Sequence, residues 1–246
     1  IGNWDVSSST DMFNMFRNAT SFNQDLSDWN VGTVTNMATM FSGANNLSSG
    51  YKGLIHQSFS SNPNWDTDWS AHIPAPAVLT NANFQTAVDL WCTDKAAAFA
   101  TYGHIKDWNV SGVTNMSNAF KDRTDFNEDI SNWDVSRVTN MENLFRNASA
   151  FDQPIGDWNT SAVFNMKGLF FGATLFNHNI NDWNVSSVTN MESMFHLAKS
   201  FNQPLNFWDV SKVTKMNYMF RSASMFNQTV GDWNVSSVTT MRDMFK

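Results

Sequence analysis

Cysteine is nearly absent: Cys92 stands alone among 246 residues. One thiol excludes an internal disulfide framework and a multi-cysteine metal site. Charge is scarce too, with Asp, Glu, Lys and Arg at 15% of the chain, against about 25% in an ordinary soluble domain. Cations are the scarcer sign, 15 Lys and Arg against 22 Asp and Glu, for a net charge of −7. That balance argues against a nucleic-acid partner, because a phosphate-binding surface needs cations in excess. No apolar run reaches the length of about 18 residues that a membrane helix requires, so no span is expected. No Gly-rich phosphate loop, His-Glu-x-x-His or Gly-x-Ser-x-Gly appears. What the chain has in quantity is aromatic residues, at 14%, with 11 Trp and 21 Phe.

The tryptophans mark a repeat. Trp4, Trp29, Trp108, Trp133, Trp158, Trp183, Trp208 and Trp233 share one phase, and from Trp108 onward each step is 25 residues. Phe120, Phe145, Phe170, Phe195, Phe220 and Phe245 keep the same step, as do Phe126 to Phe226 and Met116 to Met241. A 25-residue period is too short for a propeller blade of about 40 residues and suits a leucine-rich-repeat-like solenoid coil of about 20 to 29.

Residues 133–157 show how one coil reads. Trp133-Asp134-Val135 alternates in strand fashion. Thr139 or Asn140 stands where a helix cap belongs. Met141, Leu144, Phe145 and Ala148 follow at i, i+3, i+4 and i+7, the apolar face of a short helix. Phe151, Gln153 and Ile155 alternate again on the way to the next Trp. The expected fold class is α/β: a leucine-rich-repeat-like solenoid of 25-residue coils, each a strand, a short helix and an extended return. No coil buries its Trp, Phe and Met alone, so stability comes from neighbouring coils. The recurring Phe-Asn-Gln turn reads as an internal ladder whose amides satisfy backbone groups at a corner.

The pattern breaks between Trp29 and Trp108, 79 residues or three periods plus four. Residues 1–47 read as coils of a first array. Residues 48–79 read as an irregular excursion or linker, 80–107 as a helical capping coil, and 108–246 as a second array. Phe84, Val88 and Trp91 share a helical face in the capping coil. The chain opens on Ile1 and stops at Lys246, both in mid-repeat. That reads as a piece of a longer chain, or as one whose ends meet other copies.

The unit Trp-Asp/Asn-Val-Ser-x-Val-Thr-Asn-Met-x-x-Met-Phe-x-x-Ala-x-x-Phe-Asn-Gln-x-Ile/Leu is matched nearly throughout by residues 183–205. It resembles the bacterial surface protein 26-residue repeat, also called the BspA-type leucine-rich repeat region, domain of unknown function 285. The resemblance covers about three quarters of the chain. It implies surface or secreted proteins of bacteria and microbial eukaryotes, with a suggestion of adhesion, no enzyme activity and no catalytic residues to carry over. The chain departs from the pattern at 48–103, at Phe164 in place of Thr, and at Lys215 and Thr240 in place of Asn.

Each candidate site also has a plain structural role. Asn18, Asn46, Asn109, Asn115, Asn147, Asn159, Asn184, Asn227 and Asn234 each head an Asn-x-Ser/Thr sequon. Four of them follow the repeat Trp and are expected to point outward, so these nine are candidates for N-glycosylation. Asp28, Asp107, Asp157, Asp182 and Asp232 form a column that could hold calcium or simply face solvent. Cys92 with His104 could form a nucleophilic pair, or with His72 also a zinc site; a structural cysteine is the plainer reading. The Thr column at Thr35, Thr114, Thr139, Thr189, Thr214 and Thr239 suits capping better than an ice-like lattice. Trp65 and Trp69 could grip a partner or pack the excursion down. No catalytic residue, metal or cofactor is expected. The expectation is an extracellular or cell-surface structural protein, part of a polymer or fibre, with copies of itself end to end and covalent glycans as partners. The alternative is a monomeric adhesin or ligand-binding module.

Overall fold

The computed structural model describes residues 1–246 as two compact units, residues 1–77 with 93–104, and 78–92 with 105–246. The second unit contains most of the 25-residue coils. Its coils stack in parallel, and a single bridge joins each to the next through the residue before the repeat Met: Asn115 to Asn140, Asn165, Asn190, Lys215 and Thr240 in turn. Lys215 and Thr240 thus occupy the ladder as Asn does, because the pairing uses the backbone alone.

The short helix expected after each Met is absent. Residues 141–148 form successive tight turns. The N–H groups of Leu144, Arg146 and Ala148 donate three residues back, to Met141, Asn143 and Phe145. The alternate N–H groups, of Met141, Asn143, Phe145 and Asn147, donate to Asn165, Lys167, Leu169 and Phe171 of the next coil at 2.6–2.9 Å. Each amide therefore points either along its own coil or across to its neighbour, and none can close a helical i to i−4 ring. Two turns per coil carry their third residue at positive φ, as type II turns require. One column of such residues is Asn14, Thr39, Asn118, Asn143, Gly168, Ser193, Tyr218 and Asp243. The other is Asn18, Gly43, Asp122, Asn147, Gly172, Leu197 and Ser222. Asn, Asp and Gly tolerate this backbone best, which explains their frequency two and six residues after Met. The apolar spacing that suggested a helix is real, since Met141, Leu144, Phe145 and Ala148 are all buried; the turn ribbon presents the same four inward.

The Thr side chains do not cap helices either. Thr139 sends both its N–H and its hydroxyl to the Thr114 carbonyl of the preceding coil, and Thr214 and Thr239 repeat the arrangement. At Phe164 the backbone bonds on both sides persist and only the hydroxyl bond is lost.

Stacked rings fill the interior. Rings from Phe120 to Phe245 succeed one another at 5.5–5.7 Å between centroids. Within a coil, Phe145 lies 3.9 Å from Phe151. Each buried Phe is worth roughly 1.5–3 kcal/mol, and an aromatic pair adds about 0.5–1.5 kcal/mol. The Trp column solves its own polar problem: Trp183 Nε1–H donates to the Ile155 carbonyl at 3.0 Å, and Trp133, Trp158, Trp208 and Trp233 do the same to residues 28 earlier.

The interruption is more ordered than its composition suggested. Residues 48–79 hold α1 (Ser49–Phe59) and a short 3-10 turn (Ser70–His72). Ser48 caps α1 by accepting from Tyr51 N–H. Ile55 and Phe59 of α1 join the core of the first array, and Trp65 and Trp69 pack on Phe41. Buried Asn62 donates to the carbonyls of Val31 and Val34 and so satisfies that array's last coil. In the second unit, β1 (Val78–Thr80) pairs in parallel with β2 (Asn109–Gly112), and α2 (Phe84–Thr93) sets Phe84 on Trp133 and Trp91 on Trp108. Asn81 Oδ1 accepts the Thr114 N–H, the group that in later coils bonds a preceding Thr-column carbonyl. The segment 80–107 is therefore divided: 80–92 ends the second array, while α3 (Lys95–Tyr102) belongs to the first unit.

Two substitutions at the left-handed columns should shift stability in opposite directions. A Cβ at Gly172, where φ is +68°, would lie 2.5 Å from Asn147 Oδ1. Gly172→Ala should cost about 1–2 kcal/mol, and Leu197→Asn should gain a fraction of that, both read from urea midpoints. Trp183→Phe, which removes a buried donor and shrinks a filled site, should cost about 2 kcal/mol by the same measurement.

Candidate functional site

The outer surface of the turn ribbon in the second unit carries the most distinctive side-chain cluster. The fifth residue after each Met points outward from the ribbon. In successive coils that residue is Lys121, Arg146, Phe171, His196, Arg221 and Lys246. The column is cationic or aromatic throughout, in a chain of net charge −7. The Arg146 guanidinium lies 3.9 Å over the Phe171 ring, and Phe171 meets His196 edge-on at 4.5 Å. One residue column away, Tyr218 stands 6.4 Å from His196, with the Arg221 and Arg242 guanidiniums 5.5 and 5.8 Å from its ring centre. Lys167 sits between Glu192 and Glu142, at 3.5 and 4.0 Å. Of these, Arg146, Phe171, His196, Tyr218 and Arg221, with Lys167 and Glu192, line a groove of ≈360 Å³. Burial, then the positive charges of Arg221 and Arg146, hold the His196 imidazole below its ordinary pKa. The five histidines share no 25-residue phase in the sequence. The signal was present at fixed spacing from Met, but the column changes residue type from coil to coil, so identity matching passes over it.

A cavity of ≈520 Å³ lies in the first unit between α1 and α3. Its polar groups already serve the helices. Ser48 accepts from Tyr51 N–H, Asp94 accepts from Ala97 N–H, and Asn23 accepts from Ser48 N–H. Lys95 pairs with Asp25 at 3.5 Å. Burial, with Asp25 and Asp94 nearby, pushes the Tyr51 phenol up. That arrangement fits helix-end chemistry better than ligand capture.

The sequons fall into distinct environments. Asn109, Asn159 and Asn184 are exposed, and the Oδ1 of each accepts both the N–H and the hydroxyl of its own sequon Ser. Asn234 accepts the Ser236 N–H. In all four the amide oxygen is turned back on the chain. Asn147 differs: its Nδ2 donates to Asp122 at 2.7 Å. Asn18 shares its left-handed backbone column. Asn115 belongs to the bridge ladder, Asn227 extends the Phe-Asn-Gln ladder, and Asn46 is exposed just before α1. In that second ladder, Asn202 N–H donates to Asn177 Oδ1, and Gln203 Nε2 donates to the same amide oxygen and to the Asn177 carbonyl.

The other candidates disperse. Asp28, Asp107, Asp157, Asp182 and Asp232 are all exposed, and no three acidic, His or Cys side chains form a group able to hold a metal ion. The Thr hydroxyls from Thr139 to Thr239 donate to carbonyls of the preceding coil rather than to a lattice outside. Burial pushes the Cys92 thiol up to about 11. A thiolate is the nucleophile and the metal ligand, and burial keeps Cys92 protonated at neutral pH. Its alkylation by iodoacetamide at pH 8 should run at least tenfold slower in the folded chain than in urea, as mass spectrometry would read it.

No helix is long and apolar enough to cross a membrane. Neither a curated protein nor a solved structure matches the chain. A family model described as "Mycoplasma protein of unknown function, DUF285" matches residues 1–67, 92–163 and 153–246. These segments take in all but residues 68–91, and the chain therefore belongs to the DUF285 family.

Proposed function

We propose that this chain is a structural and interaction protein: an extracellular leucine-rich-repeat-like solenoid that forms part of a cell-surface polymer or fibre. The observation that carries this reading is the open character of the coil-to-coil contact. The donors of one coil, from Met141, Asn143, Phe145 and Asn147, face acceptors of the next, and the relation repeats at 166–172, 191–197 and 216–222. Such a contact joins two different surfaces and does not close on itself. An interface of this type extends into filaments when copies meet end to end. The reading assigns no catalysis, because the repeated polar side chains serve ladders and turns. It places N-glycans at Asn109, Asn159, Asn184 and Asn234, where the amide is exposed and the sequon Ser is folded against it.

The cation–aromatic groove of Arg146, Phe171, His196 and Arg221 favours a second reading, in which a monomeric module binds a ligand at the cell surface. Electron microscopy and intact-mass analysis of native material separate the two. Long filaments, with a mass well above 27.8 kDa per chain, support the glycosylated fibre. Discrete particles at the bare polypeptide mass overturn it in favour of the binding module.

A further inference from the structure

We propose that the column running through Arg146, Phe171, His196 and Arg221 binds a linear acidic glycan through its carboxylate or sulfate groups. The cations along this column differ in what holds them. Lys121 and Lys246 lie 3.9 Å from Asp122 and Asp243, and Lys167 is held between two glutamates. Arg146 and Arg221 have no carboxylate within 4.0 Å; an aromatic ring supports each of them instead. A guanidinium stacked on a ring keeps its in-plane N–H groups available, and that fork matches a carboxylate or sulfate in two-point fashion. The two arginines are three coils apart, roughly 14 Å at the usual spacing between paired strands. Between them lie Phe171 and His196, with Ser193 and the Tyr218 phenol alongside.

Cation, a stretch of aromatic and polar groups, cation is the complement of a sugar chain whose anionic groups are separated by hydroxylated units. Other polyanions fit less well. An acidic peptide binding as an added strand needs free backbone groups, yet the amides of Asn143, Gly168, Ser193 and Tyr218 along this ribbon already bond the next coil. A nucleic acid needs bare ring faces for its bases, and Arg146 covers Phe171. Glu142 and Glu192 would also repel a continuous phosphate backbone. This inference is independent of filament formation, since the groove lies on the lateral surface of the coils and not at the ends of the stack.

The test is titration of the full chain at low salt, followed by calorimetry and by the His196 ring resonances. The probes are a heparin hexasaccharide, an oligogalacturonate, a neutral cello-oligosaccharide, a poly-glutamate peptide and a single-stranded oligonucleotide. The expected result is binding of one or both acidic glycans, weakened by added salt, with the His196 resonances shifting and its pKa rising. Arg146→Gln with Arg221→Gln should lose about tenfold or more of that affinity. Lys199→Gln with Lys212→Gln, which removes the same charge elsewhere on the surface, should leave it nearly unchanged. Arg221→Lys, which keeps the charge and loses the fork, should fall between. Failure of both acidic glycans to bind, tighter binding of the peptide or oligonucleotide, or equal losses in the two double variants would overturn the proposal. Unchanged circular dichroism of each variant establishes that the losses are local.

Discussion

Everything in the coil array depends on an alternation of backbone hydrogen bonds. In the ribbon after each Met, one amide turns back on its own coil and the next reaches across to the following coil. A chain segment of this kind has no stability alone, because half of its bonds belong to a neighbour. Left-handed residues two and six places after Met keep the alternation in phase. Where the sequence supplies Asn, Asp or Gly there, the backbone is at ease. At Thr39, Leu197 and Tyr218 the stacking of the coils holds a conformation that those side chains disfavour.

Side chains then add columns to that ladder. Phe rings stack on Phe rings, and the indole N–H groups from Trp133 to Trp233 each find a carbonyl one coil away. Burying a Trp without that partner would leave a donor stranded at a cost of about 1–3 kcal/mol, so the Ile or Leu three residues before each Trp matters as much through its carbonyl as through its side chain. The ladder also has to end somewhere. At the interruption Asn62 and Asn81 supply side-chain amides where backbone groups of another coil would otherwise be needed.

The period, the inward columns and the Phe-Asn-Gln ladder were legible in the sequence, because identical residues recur every 25 positions. The local conformation was not. Met141, Leu144, Phe145 and Ala148 satisfy helical periodicity, and only the Asn at 143 and 147 argues otherwise. Those asparagines become telling when read as a column with Gly168 and Gly172, since glycine at the same place signals backbone and not side-chain chemistry. The helix over Ser49–Phe59 was hidden in a segment rich in Ser and Asn, with a Gly at 50 and at 53. Gly50 is required by close packing, since a Cβ there would overlap the backbone of Ala96. The outward groove was missed for the opposite reason: its column keeps a chemical character while changing residue type, from Lys121 through Arg146, Phe171 and His196 to Arg221.

A scaffold whose inward positions are fixed by stacking leaves its outward columns free to vary. The claim on which this rests is that turns, not helices or long strands, carry the array by locking onto one another. Hydrogen exchange followed amide by amide tests it most directly. The amides of Asn143, Phe145, Gly168, Phe170, Ser193 and Phe195 should be protected to the level of global unfolding, as in a central strand. Rapid exchange at these positions, of the kind expected for solvent-facing turns, would contradict the account.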